Sequence, residues 1–289
     1  MMKKYFYILT ILSVSLALIF ANYSCKPEPE PVTPPVPSKP TLFPKKTVVE
    51  EGTGTWCGWC PRGAIGMNAM RAKYPNKFIG IAVHGRDTMQ VANYINGLNF
   101  SGFPQAAIDR KTTSDPEAKT LDAIITKADT VSLFGIEFVS AQLNAANTQI
   151  DVTVQVTSGV DTVVNQRIAL VIIENDVTGT TSAYDQANNY SGGGYGVMGG
   201  YENLPSPVPA SQMVYQEVAR GIYPSFNGVD GSVPESLTAN TPVTYSYTIT
   251  LPSNINNLAK IELIALLLEN KAGGFKPWQI INATKTHLF

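Results

Sequence analysis

Trp56-Cys57-Gly58-Trp59-Cys60-Pro61 places two thiols three positions apart. Cysteines so close can close a disulfide within one turn of chain and open it again. In such a pair one thiolate attacks a foreign disulfide, and the second thiol releases the substrate by closing the internal bond. The flanking residues assign the roles. Lys46–Glu51 reads as a short buried strand ending in acid. From Arg62 to Tyr74 the spacing is helical, with Ala64, Met67, Met70 and Tyr74 at three- and four-residue steps and Pro75 as the stop. The pair therefore sits on a strand-to-helix turn, with Cys57 at or near the helix start. Free N–H groups and the helix dipole stabilise a thiolate there, and Arg62 adds a cation. Cys57 is accordingly the expected nucleophile and Cys60, less exposed, the resolving thiol.

Duller uses of two thiols compete. A bridge over so short a loop is a weak staple, worth about 2 kcal/mol on the loop-length relation. Zinc takes four ligands, or three plus water, and beside this pair only His84 and His287 offer imidazoles. Covalent haem needs a histidine after the second cysteine, where Pro61 stands. No metal and no dissociable cofactor are expected. His84, at the end of a strand, suits proton transfer, or copper binding with the two thiols. A lone histidine there is more often packed or solvent-facing, and it is read that way.

The elements that must position the pair follow. Lys77–Val83 is apolar after its first residue, as a buried parallel strand is. Met89–Asn96 reads as a short helix, and Gln105–Arg110 as a strand entered through the tight turn Ser101-Gly-Phe-Pro104. No further strand is evident after Arg110. Asp115–Asp129 reads as a helix with Leu121, Ile124, Ile125 and Ala128 on one face. From Val131 the period becomes two, in Phe134–Val139, Ile150–Val156 and Val243–Leu251. Arg167–Glu174, Lys260–Glu269 and Ile280–Leu288 are further strands. Six or more strands with polar turns indicate an antiparallel sandwich. Between Asn175 and Pro209 lies a loop rich in Tyr, Gly, Asn and Pro. Its Tyr184, Tyr190, Tyr195 and Tyr201 could grip a sugar or peptide, but packing over the sandwich or the redox half is the preferred reading.

At 289 residues, 44% apolar and 15% charged, the chain is too hydrophobic for disorder. Its net charge of −1 gives no field for nucleic acid. The basic start Met1–Lys4, the uncharged run Tyr5–Ala21 and Asn22-Tyr-Ser-Cys25 form a secretory signal, with Cys25 suited to lipidation after cleavage. Asn22 departs from the usual leucine at that position, and an uncleaved anchor is the competing reading. Lys26–Pro44 holds eight prolines and reads as an extended tether.

With these residues in view, the strand, the Trp56–Pro61 motif and the later Gly102-Phe-Pro104 turn resemble the thioredoxin-like fold over about residues 45–130. The resemblance implies a cis bond before Pro104, facing the cysteines, with the Phe103 backbone offered to an extended substrate. It implies an acid six residues before the first cysteine as buried proton acceptor. Glu51 holds that position and Glu50 is its close competitor, since a regular strand turns one of the pair outward. More narrowly, Glu50–Pro61 is similar to the 28-kilodalton outer-membrane-protein family of Gram-negative lipoproteins, which join a thioredoxin-like front to a β-rich back. Val214–Arg220 is similar to that family too. The chain departs from it at Gly52, where an aromatic residue is usual, and in lacking a histidine near Gln216.

The expected organisation is a signal peptide (1–24), lipidated Cys25 with a Pro-rich linker (25–44), an α/β thioredoxin-like domain (45–130) and an all-β, antiparallel, immunoglobulin-like sandwich (131–289). The expected activity is thiol–disulfide exchange on extracytoplasmic proteins, from a lipid anchor in the outer membrane. Cys57, Cys60 and Glu51 or Glu50 carry the chemistry, and Trp56, Trp59, Phe103 and Pro104 face the substrate. The partners are protein thiols and disulfides, an electron donor or acceptor and the membrane, but no nucleic acid. The alternative is a surface binding or structural module whose redox fold is inert.

Overall fold

The computed structural model describes residues 39–288. The signal segment, Cys25, the linker through residue 38 and Phe289 lie outside the described residues. The first half runs β1 (Phe43–Pro44), β2 (Thr47–Thr53), α1 (Pro61–Lys73), β3 (Phe78–His84), α2 (Ala92–Leu98), β4 (Gln105–Ile108), β5 (Thr112–Ser114) and α3 (Ala118–Lys127). β2 and β3 are parallel, from Thr47 opposite Phe78 to Thr53 opposite His84. β4 pairs antiparallel with β2, and β5 with β4. Both β2 and β3 are buried along their whole length, so neither sequence alternates. Met67 and Met70 of α1 and Leu121 and Ile125 of α3 cover one face, while Tyr94, Ile95 and Leu98 of α2 belong to the core on the other. β5 escapes the sequence pattern because it is three polar residues, Thr-Thr-Ser, entered through a turn with Asp109 and Arg110 at positive φ.

The second half adds β6 (Val131–Ser132), β7 (Phe134–Leu143), β8 (Gln149–Ser158), β9 (Thr162–Val163), β10 (Gln166–Glu174), β11 (Val218–Tyr223), β12 (Ser236–Leu237), β13 (Pro242–Thr250), β14 (Ile261–Asn270) and β15 (Trp278–His287). β13, β8 and β7 form a three-stranded antiparallel sheet. Alternate residues of β8, Ile150, Val152, Val154 and Val156, pack against Ile168, Leu170 and Ile172 of β10 and Leu263, Ala265 and Leu267 of β14. β10, β11, β14 and β15 do not close a sheet of their own. β11 lies parallel to β3, Val218 opposite Ala82, so a single eight-stranded sheet runs β15-β14-β10-β11-β3-β2-β4-β5.

The described chain is thus mostly β-sheet, with three α-helices and several antiparallel pairings. The described residues from 40 onward form one compact unit, and position 130/131, where the sequence changes pattern, lies within it. One apolar cluster crosses from Val48, Ile81 and Val83 to Val171, Ala219 and Leu266.

A buried ion pair stands at the base of the first half. Glu50 accepts from Arg110 at 2.7–3.1 Å and from the Tyr94 hydroxyl at 2.7 Å, while Arg110 also donates to the Phe226 carbonyl and lies over the Phe226 ring. Removing one partner of such a pair strands a charge away from water. Arg110→Met should lower the unfolding free energy by about 3–5 kcal/mol, read as the shift in urea midpoint. A change near zero would show that Glu50 finds water in the folded chain.

Candidate functional site

Cys57 and Cys60 are joined by a disulfide, with Cα atoms 5.4 Å apart. The helix begins at Pro61, one residue before the helical spacing, and so leaves Cys57 outside it. Pro61 is its first residue and Cys60 its N-cap, so Cys60 rather than Cys57 stands at the positive end of α1. Arg62 does not serve as a free cation beside the thiols, because its guanidinium pairs with Asp115. Both cysteines are covered, Cys57 at 4% and Cys60 at 2% exposure.

The cover comes from the Tyr/Gly loop between β10 and β11. Ala187 N–H donates to the Thr55 carbonyl at 2.7 Å, and Asn189 N–H to the Gly58 carbonyl at 2.9 Å. The Gln186 amide donates to the Cys57 carbonyl at 3.0 Å and to that of Gly54 at 3.4 Å. Gly58 lets the strap lie close, since a side chain there would push the Asn189 amide aside. Trp59 meets Tyr190 and Tyr195 edge-on at 5.5 and 4.8 Å. Paired this way, the strap runs alongside the Cys-x-x-Cys turn. Nothing in the local sequence of the motif carries that signal, and the loop's tyrosines were its visible part.

On the other side of the motif the surface is open. Trp56 is 41% exposed, stacks on Phe103 at 5.6 Å and donates its indole N–H to the Gly85 carbonyl. The Arg86 guanidinium lies 3.7 Å above the Trp56 ring. Phe103–Pro104 is a cis bond, as the resemblance implied, and Pro104 is buried. The structure therefore brings Trp56 and Phe103 together beside Cys57 and places Trp59 on the strap side.

The two adjacent glutamates part company, but neither faces solvent as expected, because helices cover both faces of β2. Glu50 is held by Arg110 and Tyr94 in the ion pair described above, on the face opposite α1. The Glu51 carboxylate points under α1, into space left by Gly63, where a Cβ would overlap it. Its Oε1 has no hydrogen-bond partner among the described residues. Burial, together with the charges of Glu217 and Asp115, pushes its carboxyl up to about 8. Glu51 and Cys60 line the same cavity, of about 70 Å³, with His84, Tyr201, Tyr215 and Glu217. That volume admits more than one water. His84 is packed. Its Nδ1 meets Asp87 at 2.7 Å, and Asp87 also accepts from the Thr55 and Met89 N–H groups. Burial pushes Asp87 up, but these hydrogen bonds outweigh it and hold the carboxyl below its ordinary value. Glu217 is the residue that reasoning from sequence passed over. It lay within Val214–Arg220, noticed only for its family resemblance.

Comparison with known proteins fits this architecture. A model of the family described as outer membrane protein Omp28 matches residues 91–288. The chain belongs to that family. The matched span holds α2, β4 and the whole second half, and it begins after the two cysteines. Among solved structures, HBP35 of Porphyromonas gingivalis is similar at TM-score 0.61 and 15% identity, over 86% of this chain and 77% of that one. A protein of Agrobacterium tumefaciens aligns over 84% of this chain and 94% of that one, at 15% identity and TM-score 0.46. No curated protein matches by sequence. At such identities the HBP35 likeness bears on the fold alone.

Two outcomes test the site of this Omp28-family chain. Gln186→Ala removes the strap's side-chain grip on Gly54 and Cys57, so a small phosphine should reduce the disulfide faster, by about tenfold for each 1.4 kcal/mol of grip lost. An unchanged rate would mean the strap does not limit access. Glu51 binds its proton more tightly folded than unfolded, so its contribution is fully present below about pH 4.5 and drains away as pH rises to about 8. Stability should fall by a few kcal/mol, to order of magnitude, over that window. Glu51→Gln should flatten the decline, as read by urea melts at several pH values.

Proposed function

We propose that the chain is an extracytoplasmic thiol–disulfide oxidoreductase, anchored in the outer membrane through a lipid on Cys25. Its first half acts as a thioredoxin-like domain and its second half as an immunoglobulin-like β domain. The observation that carries this reading is the Cys57–Cys60 bridge, backed by an unpaired buried carboxyl in the cavity that Cys60 lines.

In the reducing direction the Cys57 thiolate attacks a substrate disulfide R–S–S–R′, forming Cys57–S–S–R and releasing R′–S⁻, which takes a proton from water. The Cys60 thiol gives its proton to the Glu51 carboxylate. The Cys60 thiolate attacks Cys57 sulfur, closes the internal bond and expels R–S⁻, which recovers the proton from Glu51. The substrate gains two electrons and the enzyme dithiol loses them, to be restored by an external dithiol donor. A carboxyl near 8 is well matched to a thiol whose ordinary value is about 8.5, so the proton passes either way with little driving force. The Trp56–Phe103 surface and the cis Phe103–Pro104 turn offer the docking side, with Trp59 at the strap edge. The reverse sequence of steps oxidises a substrate dithiol.

A second reading rests on the 4% exposure of Cys57: a binding or structural module whose bridge is inert. Equilibrating the full-length protein in glutathione buffers and counting free thiols separates the two. A pair that titrates within the range of biological thiols supports exchange, and a bridge opened only by much stronger reductants supports the module. Under the exchange reading, Cys57→Ala abolishes reduction of insulin disulfides, and Cys60→Ala accumulates mixed disulfides, seen as adducts by mass. Full activity in either variant would overturn the assigned roles.

A further inference from the structure

We propose that Glu217 is a positioning residue for Glu51: reaching from the start of β11 into the cavity behind Cys60, its negative charge, drawn in by Arg71, holds the proton on Glu51. The inference rests on the exchange reading for its use, though not for its geometry.

The site is built for two carboxylates. Gly63 of α1 leaves room for the Glu51 carboxylate, and Gly80 of β3 leaves room for that of Glu217, because a Cβ at either glycine would overlap it. Glu217 itself is held at φ 55, a conformation uncommon for glutamate. Its N–H donates to Asn175 Oδ1 at 3.0 Å, and its carbonyl accepts from Ala82 N–H at 2.8 Å. The backbone is thereby pinned at the junction of the two halves, and the side chain enters the space that Glu51 and Cys60 also line.

The other charges around the pair are already matched. Asp115, beside Glu51, is bound by Arg62. Glu262, near Glu217, is held by Lys285 and His287 at 2.9 Å each. Glu50 is neutralised on the opposite face by Arg110. Within the cavity His84 is bonded to Asp87, and Tyr201 and Tyr215 are phenols that burial keeps protonated. Glu217 has no such close partner. Its nearest cation is Arg71 at 3.7 Å, on the solvent edge of α1. Burial raises both carboxyls, but only Glu217 has cations, Arg71 and Lys285, pulling it back. Glu217 is therefore the carboxyl of the pair with cations beside it, and its charge is the one next to Glu51 that no guanidinium meets at hydrogen-bond distance.

The consequence is a division of labour. Glu51 exchanges a proton with Cys60, while Glu217 keeps Glu51 weakly acidic enough for a thiol to be its partner. Without Glu217, Glu51 would ionise at lower pH and become a poorer base.

The test is pH-difference infrared spectroscopy of the full-length oxidised protein, with the Glu51 carboxyl band assigned by its loss in Glu51→Gln. In Glu217→Gln the Glu51 midpoint should fall from about 8 by about one unit, with burial keeping it above an ordinary glutamate. An unmoved midpoint would overturn the proposal. Should Glu217→Gln not fold, Arg71→Gln alters only the solvent edge: the Glu217 band should then titrate at higher pH, and its failure to move would equally overturn the proposed order of ionisation. Insulin reduction by the unsubstituted protein separates this idea from the function. A band shifted in Glu217→Gln, with an unsubstituted protein that lacks exchange activity, upholds the pair and sinks the exchange reading, whereas an active unsubstituted protein with an unmoved band does the reverse.

Discussion

A single parallel contact, Ala82 N–H to the Glu217 carbonyl with Val218 opposite Ala82, makes two four-stranded sheets into one of eight. Without it the first half would present β3 as a bare edge, and an all-buried apolar strand is the kind least able to face water. The contact also decides where the loop between β10 and β11 must travel. Both ends of that loop enter the sheet beside Ala82, close to the end of β3, and β2 alongside delivers the cysteines at the same end. Covalent continuity therefore carries the loop over the Cys-x-x-Cys turn. The buried pair Arg220–Glu174, at 2.8 Å, fixes β11 to β10 just beyond the junction and keeps that geometry from sliding.

The same strand period that shapes the sheet separates two chemically identical side chains. Glu50 and Glu51 alternate across β2, so one meets a guanidinium and a phenol while the other meets a helix that lacks a side chain where the carboxylate lies. Adjacent residues thus become an ion-paired carboxylate and a carboxyl that burial pushes up. Sequence could state that the two must point opposite ways, but not which way was which, because the deciding partners, Arg110 and Gly63, sit 60 residues on and 12 residues on respectively in separate elements.

That distinction describes what the chain makes legible. Local pattern suffices for β2, α1, β3 and the alternating strands β7, β8 and β13, whose polar and apolar residues follow the face they occupy. It suffices for the disulfide and for the turn at Pro104, since both are short-range. It fails at β5, too short and polar to stand out, and at β11, whose Val-Ala-Arg-Gly-Ile-Tyr run mixes a buried arginine with apolar neighbours. The strap and Glu217 are non-local. Gln186 reaches Cys57 across 129 positions, and no spacing rule spans that distance. That Cys60 rather than Cys57 caps the helix has a simpler cause: Pro61 is favoured at the first helical position, where its missing N–H leaves no bond unmade.

The strap sets the energetic cost of uncovering the cysteines. Two backbone and two side-chain hydrogen bonds tie it to residues 54–58, each worth about 1 kcal/mol net, and two edge-on aromatic contacts add about as much apiece. Opening against that grip alone would leave only a small fraction of molecules exposed at any moment, falling tenfold for each 1.4 kcal/mol. The cost is not fixed, however. The strap's donors go to the carbonyls of Thr55 and Gly58, which any extended chain with free N–H groups could take over. A partner segment that makes those bonds offsets the loss of the strap, while glutathione, with few donors to offer, does not. Cover of this kind is thus held by backbone bonds that an extended segment could replace and a small thiol could not.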